Sequence, residues 1–202
     1  MVTPDDTRSR LLLAAVRVLE AEGEVGIRVR EIAAEAGVRE PSIYHFFGSR
    51  EGLIEAAQVH RFAEGQRDLT RDFDARVRQC SSRDEMVQAF RAMLRVAFRR
   101  RAAERAVRVN VLGSTQSRPS LAAQLAETQR VSGRMMADTL EFAQQRGWIA
   151  ADLDPLAFSA WFVGQLTGRV LIEIDPGFVD ANHWDAISTR AVFAVLGWDD
   201  PT

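Results

Sequence analysis

The sequence predicts an all-α protein: a small N-terminal three-helix domain with a helix-turn-helix, followed by a larger helical domain. Apolar residues recur at spacings of three and four along successive segments, as in Leu12, Val16 and Leu19 and again in Phe90, Met93, Leu94 and Phe98. Helix starts and stops punctuate those segments, Ser49, Ser82 and Asp154-Pro155 opening runs and Gly23, Gly37 and Gly147 closing others. At 202 residues and 47% hydrophobic content, the chain can bury a sizeable core as one body or as a small domain fused to a larger one.

In chain order, Thr7 to Glu22 reads as the first helix, ended by Gly23. Arg28 to Phe47 reads as two short helices joined by a tight turn. Val29, Ile32, Ala33 and Ala36 supply the buried face of the first, Gly37 stands where a residue tolerant of positive φ is needed, and Val38 plugs the corner. Pro41 suits the first turn of the next helix, where its missing N–H is no loss. Ile43, Phe46 and Phe47 cluster on one side of that helix, while Pro41, Tyr44 and His45 project on the other, beside Ser42 and Arg39. The unit reads as a helix-turn-helix whose second helix is sized for a DNA major groove, although spacing alone also admits a plain helical hairpin with core aromatics.

Extended through Gly48-Ser49-Arg50-Glu51-Gly52-Leu53, this stretch resembles the DNA-binding domain of the TetR (tetracycline-repressor-like) family of bacterial regulators. That family carries a Gly-Val turn, a Leu/Ile-Tyr-His-Tyr/Phe-Phe run, then a small or Pro residue, Ser, Lys/Arg and Glu. Two positions depart from the pattern. Glu24 follows the glycine where a large aromatic is common, so Val25 or Ile27 is expected to supply that packing. Arg28 opens the second helix where Thr or Ser is usual; it cannot accept the N-cap hydrogen bond, but it can donate to a phosphate, the alternative being a solvated arginine. Ser49 caps a fourth helix through Leu53, Ile54 and Ala57 toward Phe62, with Asp68 to Arg78 as its remainder and a loop. Arg50 opposes the helix dipole in the first turn, which a phosphate partner explains, and the resemblance implies that role.

The rest of the chain continues in helices. Ser82-x-x-Glu85 is a capping box opening a helix with the stripe Phe90, Met93, Leu94, Ala97 and Phe98. Arg99-Arg100-Arg101 ends it; cations there complement the helix dipole, and a nucleic-acid contact is the other reading. Val107 to Leu112 is a short helix, and Ser114 to Ser120 a loop. A long helix follows with Leu121, Leu125, Thr128, Ser132, Met135, Thr139 and Phe142 on one face, either ordinary core or the wall of an adaptable pocket. Leu156 to about Ile174 is apolar nearly all round, interrupted by Gln165, Arg169 and Glu173, which speaks against a membrane span and for burial by a partner chain. Asn182 is expected to cap the last helix, with Asp185 near its start and the stripe Trp184, Ile187, Ser188, Ala191 and Val195.

Composition narrows the function. The net charge of −2 requires any nucleic-acid contact to rest on a local patch, and the first fifty-odd residues are not basic on balance. Cys80 stands alone, so no intramolecular disulfide framework exists, and the acidic, polar start is no secretory signal; a cytoplasmic location fits both. His45, His60 and His183 are scattered, and the sequence holds no His-Glu-x-x-His, Gly-rich phosphate loop or nucleophile elbow, so the chain reads as a non-enzyme without cofactor or metal.

The resulting expectation is a homodimeric, ligand-responsive transcriptional regulator, with repression implied by the resemblance. Residues 1–52 form the DNA-binding domain and 53–202 the effector-binding and dimerisation domain. Arg28, Arg39, Pro41, Ser42, Tyr44, His45 and Arg50 face double-stranded DNA at a pseudo-palindromic operator. Phe90, Met93, Leu94, Phe98, Asn110, Met135, Met136, Thr139 and Phe142 line a pocket for a small, mostly apolar effector. Trp161, Phe162, Gln165, Leu166, Trp184, Ile187, Ala191 and Val195 form the dimer interface. The competing class is a dimeric helical interaction protein that has lost sequence-specific DNA binding, to which the acidic N-terminal balance points.

Overall fold

Among residues 4–99 and 102–199, which the computed structural model describes, the regular elements are all helical. Helix α1 (Pro4–Glu22) is followed by a short 3-10 turn, then α2 (Val29–Glu35), α3 (Pro41–Phe47) and the long α4 (Arg50–Val77). The body adds α5 (Arg83–Arg99), α6 (Ala102–Ser114), α7 (Pro119–Gln145), α8 (Pro155–Gly168), α9 (Val170–Ile174) and α10 (Ala181–Val195). No helix among the described residues is long and apolar enough to cross a membrane.

The head closes over Leu11, Ala14, Ala15, Leu19, Ile32, Ala33 and Ile43, joined by Leu53, Ile54 and Ala57 from the start of α4. A division after residue 52 therefore cuts through the head's own core, because α4 serves head and body in turn. Further along, α4 sends Phe62 into a small cluster with Val111, Leu121 and Leu125, and Phe73 and Val77 into the main body core. Those last two lie four residues apart and are both buried, which keeps the segment helical to Val77 and removes the loop expected near Asp68 to Arg78.

Several ends differ from expectation for local reasons. Ile27, 2% exposed, and not Val25, 86% exposed, packs behind Glu24. Residues 115–117 form a 3-10 turn and Pro119 begins α7, so the expected loop is almost wholly helical. Glu85 N donates to Ser82 Oγ as a capping box requires, but the Glu85 carboxylate takes its bonds from the amide and hydroxyl of Ser81. The apolar helix breaks after Gly168, where Arg169 turns inward to two carboxylates. Asp180, not Asn182, caps α10 by accepting from Asn182 N at 2.7 Å.

Phe90 is the centre of the main core, with the rings of Phe73, Trp198 and Phe162 edge-on at 5.0, 5.5 and 5.7 Å. The Trp198 indole N–H is satisfied by Trp148 O at 2.7 Å, tying the chain's end to the α7–α8 connection.

Candidate nucleic-acid interface and effector cavity

The geometry of the reading head begins with its turn. Gly37 has φ 67°, and the amide of Val38 reaches back to Ala33 O at 2.9 Å, which closes α2 and aims the chain into α3. Ser49 Oγ accepts from Gly52 N at 2.9 Å and starts α4 directly after α3. A Cβ at Gly52 would stand 2.0 Å from Phe47 O, so this glycine permits the close junction that orients α3.

On that scaffold Arg28, Arg39, Pro41, Tyr44 and His45 are exposed and Ser42 is half-buried. Tyr44 is 48% exposed, its hydroxyl 3.4 Å from Glu40 Oε1, and Glu40 in turn lies 3.6 Å from Arg30. Arg28 lies at the N-cap of α2 without a side-chain capping bond and pairs loosely with Glu31 at 3.5 Å. Arg50 has a different occupation from the one expected. Its Nε donates to Ile27 O at 2.9 Å and its Nη2 to Glu24 O at 2.7 Å, so it satisfies carbonyls at the end of the 3-10 turn, and that explains a cation in the first turn of α4 without any phosphate.

A polar joint that the sequence did not reveal connects head and body. Both Arg118 terminal nitrogens donate to the Glu24 carboxylate, Gln58 adds a bond at 3.1 Å, and Ser120 donates to Glu55 at 2.7 Å. Glu24, a departure from the family pattern, thus has a partner that lies 94 residues away in the chain. The hydrogen bond from Arg118 holds the Glu24 carboxyl below its usual value despite burial, with Gln58 assisting. Its folded pKa is depressed, so its stabilisation is complete above the ordinary carboxylate value of about 4.3 and is lost as pH falls through the folded value. Glu24→Gln is expected to cost on the order of 1 kcal/mol at neutral pH and nothing in acid, read from melting curves of both proteins across that range.

The residues expected to line a pocket are mostly packed solid. Phe90, Met93, Leu94, Phe98 and Met136 belong to the main core. The Thr139 hydroxyl is engaged with Asp74 Oδ1 at 2.8 Å, and Phe142 lies against Trp148 and under Arg146. Asn110 and Met135 are exposed. Leu94 and Phe98 reach an open groove between α5 and α10, and Met93 one between α4 and α5, but none of these residues lines the half-open cavity of about 70 Å³ between α4, α5, α6 and α8. Its walls are Phe62, Leu69, Ala97, Val163, Leu166 and Thr167, with the cations Arg61, Arg105 and Arg108 and the carboxylate Glu104. The sequence signal for it was faint: Arg105 and Arg108 precede buried Val111 at steps of three along α6.

Of the residues expected at a dimer interface, Ile187 is 67% and Val195 42% exposed, while Ala191, Trp161, Gln165 and Trp184 are half-buried. Phe162 cannot contribute, being 1% exposed within its own core, and Leu166 faces the cavity.

A compact helix-turn-helix presenting Tyr44 and His45 from a larger helical body defines a DNA-binding transcriptional regulator. Residues 11–57 match the family model described as bacterial regulatory proteins, tetR family. Over that segment the chain resembles the TetR family. UidR, an HTH-type transcriptional regulator of Escherichia coli (strain K12), is 24% identical over 188 residues, spanning 93% of this chain and 87% of the relative. BetI, an HTH-type transcriptional regulator of Brucella suis biovar 1 (strain 1330), is 34% identical over 86 residues, 43% of this chain and 41% of the relative. The crystal structure of FadR from Bacillus subtilis in complex with stearoyl-CoA superposes with a TM-score of 0.61 at 19% identity, over 93% of this chain and 97% of FadR, a likeness of fold.

Proposed function

We propose that the chain acts as a homodimeric repressor that binds a pseudo-palindromic operator and leaves it when a small molecule enters the body. The observation that carries this reading is the exposed Tyr44–His45 face of α3, flanked by exposed Arg28 and Arg39 and held in place by Gly37 and Gly52. Tyrosine and histidine can read base edges while the flanking arginines neutralise phosphates. Two copies related by a two-fold axis would present their α3 helices to successive major grooves, about 34–36 Å apart. The outer faces of α8 and α10, with exposed Ile187 and Val195 and small residues at Ala157, Ala160 and Gly164, suit close helix packing between copies. FadR was crystallised with an acyl-CoA, and a helical body with a partly apolar cavity supports a ligand-responsive role here. Release requires the ligand to favour a form whose two α3 helices are wrongly spaced for the operator.

Fluorescence anisotropy with DNA from upstream of the gene tests this. Tyr44→Ala or His45→Ala is expected to weaken specific binding by about 1–3 kcal/mol and leave binding to random duplex nearly unchanged. Arg39→Ala should weaken both alike and flatten the salt slope by about one unit. Equal affinity for upstream and random DNA would instead leave a helical interaction protein.

A further inference from the structure

The effector cavity of the proposed regulator carries an unusual balance of groups for an apolar compartment. Three of its lining residues are arginines, against the single carboxylate of Glu104, which is exposed. Arg105 is fully engaged: its guanidinium bonds Glu173 and the carbonyl oxygens of Ala97 and Phe98. The other two are differently placed. Arg108 lies 4.1 Å over the Phe62 ring with its Nη1 3.4 Å from Gln129 Oε1, and burial pushes its pKa down to about 10. Arg61, 15% exposed, has an Nε buried without a hydrogen-bond acceptor; its nearest carboxylate oxygen, Glu20 Oε1, stands 3.5 Å away on α1 of the head.

A neutral apolar ligand would fill such a site and leave the Arg61 donor unsatisfied, and a cationic one would meet like charge. An anion matches both cations, and its carboxylate geometry matches the fork of a guanidinium. The apolar walls of Phe62, Leu69, Val163 and Leu166 would take the remainder of the molecule. At about 70 Å³ the cavity has room for roughly five waters' worth of ligand, a head group and a short stem; anything longer must spread the helices or project from the open side.

We propose that this cavity takes a small amphiphilic carboxylate, bound by Arg108 and Arg61 with its apolar stem against Phe62 and Leu166, and that engaging Arg61 draws it away from Glu20 and so reports binding to α1. The proposal rests on the cavity being the effector site. Its specific content is that the ligand's charge is what is recognised, and that one side chain is shared between ligand and head. By linkage, the ligand and Glu20 compete for Arg61, so each weakens the other's hold by the same factor.

Isothermal titration calorimetry on the full-length protein tests it with phenylacetate and hexanoate, each against its uncharged primary amide. At least one acid is expected to bind about tenfold or more tighter than its amide, the difference made by a hydrogen bond to a charged group. Arg108→Met and Arg61→Met should erase that preference and keep the amide's affinity, with melting curves confirming a folded protein. Glu20→Gln should tighten acid binding about two- to fivefold and leave amide binding unchanged, a response that a merely structural residue would not give. Equal affinities for acid and amide, or no acid binding at millimolar concentration, would overturn the proposal. DNA release by the amides and not by the acids would also overturn it while sparing the repressor reading, whereas acid preference in a protein that ignores upstream DNA would keep the site and remove the regulator.

Discussion

Replacing Glu173 with alanine is expected to lower the unfolding free energy by about 3–5 kcal/mol, because it strips the shared counter-charge from two buried cations. Glu173 on α9 receives Arg105 from α6 and Arg169, whose Nε also bonds Asp185 on α10 at 2.7 Å. Arg105 is 5% and Arg169 9% exposed, so neither guanidinium can turn to water once the carboxylate is gone. Arg105 further donates to the carbonyls of Ala97 and Phe98, orphaned at the end of α5, and so joins four helices through one network. Burial pushes the Glu173 carboxyl up, but the hydrogen bonds and charges of Arg105 and Arg169 pull it further down, leaving it below its usual value. With a depressed folded pKa, its stabilisation is complete above the ordinary carboxylate value and disappears as pH falls through the folded one. Urea unfolding should therefore show a large deficit for Glu173→Ala at pH 7 that shrinks toward acid pH. A deficit independent of pH would mean that the side chain acts by packing.

Ile187→Glu is expected to separate the proposed dimer into folded monomers, weakening association by about 3–5 kcal/mol, or roughly two to four decades in Kd. In the single chain Ile187 is 67% exposed, so the substitution disturbs nothing within the fold and the melting of the monomer should be unchanged. Ala191, one turn along α10 and half-buried, lies beside it on the outer face, and a charge there should act in the same direction with some internal cost added. Sedimentation velocity across a concentration series reads the effect. Association unchanged by Ile187→Glu would place the interface elsewhere, the exposed Leu171, Ile174 and Phe178 around α9 being the next apolar surface to try.

Much of the head was legible because its determinants are local. Gly37 adopts φ 67°, Ser49 caps α4, and Ile32, Ala33 and Ile43 are buried, all as their spacing and chemistry require. The backbone partners of Arg50 were not legible, for the opposite reason. Its carbonyl partners at Glu24 and Ile27 lie more than twenty residues back, and no spacing rule connects them.

The body divides along the same line. Periodicity picked out the buried positions of α5 and several of α7, since Phe90, Met93, Leu94, Leu121, Leu125 and Thr139 are inside, although on α7 Met136 is buried and Met135, expected on that face, is 39% exposed. It could not say whether buried meant packed or cavity-lining, because that depends on how facing helices fill the space between them. Around Phe90 four rings close it; beside Phe62, where α6 and α8 meet α4 with arginines and valine, side chains do not. In the same way an apolar surface on every side of residues 156–174 announced that the segment must be covered, and only the tertiary structure assigned Phe162 to its own core and Leu166 to the cavity. The charged pairs Glu24–Arg118 and Arg105–Glu173 span 94 and 68 residues. Such pairs form only when the backbone has already brought their helices together, so local sequence determined the helices and their caps, and long-range packing decided where the charges and the empty space would lie.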